Sequence, residues 1–179
     1  QREVERLHLQ RSATPEEARR ANLELRQEMR KINNYFPQLE VEARTLLAKI
    51  DHNSGPLSER LTAELANKMG FTLHYVQDLP ASTRVITDEK NGRIYLPMRR
   101  EGRDARTILL QALAGHVLRH STPIDYRDYL TQRVQTNYLA GALLMPESNA
   151  VEFLQNAKTK RELSVEDLRD YFGVSYETA

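Results

Sequence analysis

The order of hydrophobic periods along the chain predicts an α+β fold: a mostly helical domain with a small antiparallel sheet and an N-terminal helical arm. Three observations predict it. Apolar residues recur at three- and four-residue steps through both ends of the chain. Between them Phe71-Thr72-Leu73-His74-Tyr75-Val76, Arg84-Val85-Ile86-Thr87 and Arg93-Ile94-Tyr95-Leu96 read as strands. Asn91-Gly92 supplies a hairpin turn between the last two.

Each element has its own signal. Thr14-Pro15-Glu16-Glu17 starts the first helix, with Thr as cap, Pro at the first helical position and Glu17 closing a capping box. Ala18, Ala21, Leu25, Met29, Ile32 and Phe36 form a narrow seam flanked by charge, suited to packing on its own domain or on a second copy. Pro37 ends that run, and Leu39, Ala43, Leu46, Leu47 and Ile50 mark a second helix. A turn-rich loop, Asp51 to Pro56, leads to a third helix that stops at Gly70. After the strands, a charged loop from Arg99 to Arg106 feeds a long apolar helix. Ser121-Thr122-Pro123 is expected to close it and cap the next, which runs to Pro146. Two short helices follow, the second opened by Ser164 and ended near Gly173. Residues 1–37 are expected to form the arm or linker and 38–179 one domain, with no internal repeat. Gln1 and the abrupt Ser175–Ala179 ending suggest a fragment of a longer chain.

Composition narrows the function. The 179 residues suffice for one good core. Twenty-six basic and 25 acidic side chains give a net charge of +1, so no global attraction to nucleic acid or membrane is expected. Zero cysteines exclude disulfides, thiolate metal sites and iron–sulfur ligands within these residues. No apolar stretch nears the roughly 20 residues of a membrane span and no signal peptide opens the chain, so a cytoplasmic location is expected.

The most informative stretch is Ala112-Leu113-Ala114-Gly115-His116. A zinc peptidase helix reads His-Glu-x-x-His, in which two imidazoles at i and i+4 grip the metal and the Glu beside the first is the base. Here the second His position is kept as His116, while Ala112 and Leu113 stand where the first His and the Glu would be. Downstream comes Leu143-Leu144-Met145-Pro146. His116 and His120 are also spaced i and i+4, so a different metal site completed by Asp125 or Asp128 stays open. So does a plain core or helix-end role for both imidazoles.

From about position 40 to 179, this arrangement resembles the ImmA/IrrE-type zincin-like family. The likeness rests on a helix closing at Gly70, the strand Phe71–Val76, Leu79-Pro80, Arg93-Ile94-Tyr95-Leu96-Pro97, Arg106, the motif helix and the Leu-Leu-Met-Pro signature. The erased motif resembles the short-chain fatty-acyl transcription regulators, above all those of propionate catabolism. The resemblance implies a degenerate zincin-like fold in which Ala112, Leu113 and His116 stand for the metal His, catalytic Glu and second His. The third ligand, a Glu in active members, falls at or beside Gln135. It further implies that no catalytic residue, no metal site and no resident cofactor belong to this fragment. DNA-binding and iron–sulfur domains would lie elsewhere in the full-length protein.

On this reading the chain is the sensory core of a transcription regulator, with coenzyme A or a short-chain acyl-coenzyme A as effector. A homodimer is expected, DNA is touched only through absent domains, and no membrane is involved. A clustered set of arginines, Arg99, Arg100, Arg103 and Arg106, lies at the entry to the motif helix. It could hold phosphates with help from the helix N-terminus, or form a solvated loop neutralised by Glu101 and Asp104. Tyr95, Gln111, His116, Gln135 and Tyr138 are candidates to orient ligand amides, each with a core or rim packing alternative. The rival functions are an active metallopeptidase of the same fold and a structural dimerisation module.

Overall fold

A computed structural model describes residues 13–80, 83–98, 104–159 and 164–178. Helix α1, Pro15–Lys31, starts as its caps require: Thr14 Oγ1 accepts the Glu17 N–H, and the Glu17 carboxylate accepts the Thr14 N–H. Its seam is occupied within the chain. Ala21 and Leu25 pack on Leu130, with Met29, Tyr126, Tyr129 and Val134 around them. Arg127 forks to Glu24 at 2.8 Å and Glu28 at 2.5 Å, and its hydrogen bond holds the Glu28 carboxyl below the usual carboxylate range.

Helix α2, Pro37–Ala48, follows a short linker and buries Leu39, Ala43, Leu46 and Leu47. Ser58 caps α3, Glu59–Lys68, which closes at Gly70 with φ +89°. Strands β1 (Thr72–Val76), β2 (Ile86–Asp88) and β3 (Arg93–Pro97) form one sheet in the order β1-β3-β2.

The hairpin of β2 and β3 is antiparallel, as Asn91-Gly92 requires, but β1 runs parallel to β3. The sheet is therefore mixed rather than antiparallel. Residues 77–92 are long enough to carry the chain past β3 to the far edge, and a parallel pair needs such a crossover. Gly92 sits at φ +61° with its Cα against the Gly70 carbonyl. A Cβ there would lie 2.5 Å from that oxygen, so the helix end and the hairpin meet through two glycines.

Helix α4, Ala105–Leu118, is capped by Asp104 and ends at Arg119 in the left-handed region, φ +46°. The next helix begins later than the Ser-Thr-Pro signal suggests. Asp125 caps α5, Tyr126–Leu144, by accepting the Asp128 N–H, and Ser121-Thr122-Pro123 is linker. Helix α6 spans Glu147–Thr159. Helix α7, Val165–Phe172, opens on Ser164 and closes on Gly173 at φ +61°.

The core joins α4, α5, α2, the inner sheet face and α7, with Leu110, Leu113, Leu139, Leu143, Ile94 and Phe172 wholly enclosed. Burying a leucine or phenylalanine contributes about 1.5–3 kcal/mol, so this layer fixes the position of the motif helix.

Candidate site on the motif helix

Leu113 is 0% exposed. The side chain that the resemblance sets in the catalytic carboxylate's place is therefore part of the main core. Ala112, Gly115 and His116 lie on the partly exposed side of α4. A Cβ added at Gly115 would have no atom within 4 Å, so the space above this strip is open. His116 stands edge-on to Phe71, ring centroids 4.8 Å apart, and its Nδ1 donates to Glu89 Oε1 at 3.2 Å.

Two further polar pairs bracket the strip from α5. Gln111 Nε2 donates to Asn137 Oδ1 at 3.1 Å. His120 Nε2 lies 2.7 Å from Gln135 Oε1. An amide oxygen only accepts, so that ring carries its proton on Nε2. Its Nδ1 is buried with no partner. The left-handed Arg119 puts His120 beyond the helix, so His116 and His120 do not share a helical face despite their spacing.

The other sequence candidates lie elsewhere. Arg106 points inward: Nε donates to both Asp104 oxygens, Nη1 to the Leu57 carbonyl at 2.6 Å and the Phe172 carbonyl at 3.4 Å, and Nη2 to Asp104 and the Gly173 carbonyl. Every nitrogen of the fork has a protein acceptor. The residue ties the first turn of α4 to the end of α7 and to the loop before α3. Tyr138 donates to the buried Glu40 carboxylate at 2.8 Å, and Glu40 also accepts the Glu147 N–H that opens α6. Burial, then this bond to Glu40, pushes the Tyr138 phenol up to about 12. Tyr95 alternates with the buried Ile94 and Leu96, so it lies on the opposite sheet face, 5.3 Å from the His74 ring. Arg99, Arg100 and Arg103 lie outside the described residues.

Asp104 is legible in the sequence as an acid that could neutralise Arg106, and its place just before the helix also marks it as a favoured N-cap, the signal for its second role. Glu89, Glu40 and Asn137 meet their partners only through tertiary folding, and nothing in the linear pattern marks them.

Two clefts border these helices. One, of about 20 Å³, fits a single water between α3, the sheet and the first turn of α4. The other, of about 350 Å³, lies between α1 and the start of α5, lined by residues such as Arg20, Glu24 and Ile124. Neither reaches Ala112 or His116.

The model of the IrrE N-terminal-like domain, the peptidase M78 family, matches residues 65–179. This chain belongs to the IrrE N-terminal-like domain family. No curated protein matches the sequence. Among solved structures, a Mycobacterium tuberculosis transcriptional regulator is similar in fold, with TM-score 0.64 and 21% identity over 87% of this chain. The chain spans 49% of that regulator's length. Among the described residues, no helix is long and apolar enough to cross a membrane.

A zinc ion is the group this family's motif implies, and the donors here do not fit one. Ala112 offers no donor atom, Gln135 offers only a carboxamide already engaged by His120, and His116 is the remaining imidazole. Among the described residues, no three His, Asp or Glu side chains gather where a metal could sit.

Proposed function

We propose that this IrrE-type domain is a non-catalytic ligand sensor of a transcription regulator, taking coenzyme A or a short-chain acyl-coenzyme A as effector. The genes controlled would serve fatty-acid or propionate metabolism. The observation that carries the reading is the altered motif face itself. Leu113 is buried where a general base would be needed, while Ala112 and Gly115 leave a shallow apolar strip rimmed by hydrogen-bonding groups.

Such a strip suits a chain of methylenes and amides. Amides of a pantetheine arm would exchange with the side-chain pairs Gln111–Asn137 and His120–Gln135. Swapping one hydrogen bond for another changes the energy little, so burial of the methylenes and acyl group supplies the gain. Phosphates would be held by Arg99, Arg100 and Arg103 ahead of α4, while Arg106 fixes the helix those arginines precede. The likeness in fold to a transcriptional regulator supports the regulatory setting.

Calorimetric titration with propionyl-coenzyme A tests the site. The unaltered chain should bind. Gly115→Trp should remain folded, because its side chain enters open space, and should lose at least about tenfold in affinity, equal to 1.4 kcal/mol. Equal binding by both proteins would remove the ligand from this strip.

A further inference from the structure

Helix α1 packs outside the main core, and the linker behind it holds two successive residues in the left-handed region. Its buried contacts form a satellite cluster of Ala21, Leu25 and Leu130, separate from the main core. The remaining hold comes from Arg127 with Glu24 and Glu28, whose side chains are 53% and 60% exposed. Exposed ion pairs contribute little. Behind the helix, Asn33 and Asn34 both stand at φ +54°. Asparagine visits the left-handed region as a single residue; two in succession is an unusual arrangement for side chains with a Cβ. The turn they make folds α1 back onto its own α5.

We propose that α1 exchanges between two copies of this chain. When Asn33 and Asn34 relax to extended backbone, the linker from Ile32 to Phe36 opens. Helix α1 then lays the same Ala21–Leu25 seam on Leu130 of a second copy, with the same Arg127 fork. Every contact between α1 and α5 is remade. The turn gives up its backbone bonds from Asn33, Asn34 and Tyr35 to Arg30, Met29 and Ile32, and relief of the left-handed pair in both protomers offsets that loss, the condition for a low-cost exchanged dimer. The partner is a second copy because its α5 presents the complement this seam already fits.

The absence of cysteine allows a clean test. Arg20 and Ile124 line the same cleft between α1 and α5, and Ile124 is 86% exposed. Arg20→Cys and Ile124→Cys are made in separate chains, which are mixed, refolded together and treated with a short bismaleimide. Exchange predicts cross-linked pairs joining the two kinds of chain. The double variant, Arg20→Cys with Ile124→Cys, should likewise yield covalent dimers. Cross-links confined to single chains, or a chain that stays monomeric by light scattering at high concentration, would overturn the proposal. Replacing both Asn33 and Asn34 by Gly removes the strain of the closed form. The dimer should then dissociate at least about tenfold more readily. An unchanged dissociation constant would show that the hinge does not drive exchange.

Discussion

Gln135 Oε1 stands 2.7 Å from His120 Nε2. A side chain at or beside the third metal donor that the resemblance implies is thereby joined to a histidine outside the motif, across the packing of α4 on α5. The bond links the start of the α4–α5 connection to the middle of α5. It leaves Ala112, Gly115 and His116 as a partly exposed strip of α4, open above Gly115, rather than a cage of anionic ligands.

Leu113→Glu should destabilise the chain by roughly 3–5 kcal/mol, because a carboxylate at a fully buried position has no partner and must be desolvated or protonated. Urea unfolding measures it. A variant as stable as the unaltered chain would mean that position 113 faces a cleft, as a catalytic Glu would require.

Arg106→Ala should lower stability by about 3 kcal/mol, since the deletion strands Asp104 and three backbone carbonyls. For a chain of this size that is roughly 6–12 °C in melting temperature. Arg106→Lys should recover only part of it, because an ammonium cannot reproduce the fork. Unaltered melting in Arg106→Ala would show that the clamp is not formed.

Tyr138 should titrate late. Its folded-state value, about 12, lies above the ordinary 10 for a phenol. A raised acid favours the folded state fully below pH 10, and that contribution is lost as pH rises through 12. Ultraviolet titration against Tyr138→Phe should therefore assign the missing transition to the late end. A missing transition near pH 10 would contradict the buried bond to Glu40.

Much of this fold was legible in local signals. The capping box at Thr14, the glycine stops at Gly70 and Gly173 and the Asn91-Gly92 hairpin all act within a few residues. The parallel partner of β1 was not, because register across a crossover depends on tertiary packing. The start of α5 was misread because Pro123 resembles a first-turn proline, whereas Asp125 makes the capping bond. At the site, residue types alone show Ala112 and Leu113 ahead of His116. The direction of Arg106 was not legible: an arginine at a helix start can face a ligand or its own cap, and here Asp104 and the end of α7 take it.

The most direct measurement of the central claim is native mass spectrometry of the purified chain, with and without added zinc and propionyl-coenzyme A. A non-catalytic sensor predicts the added mass of one acyl-coenzyme A per protomer and no stoichiometric zinc. One zinc per chain, removed by chelator together with a peptide-cleaving activity, would contradict it, as would a chain that takes up no coenzyme A at any concentration tried.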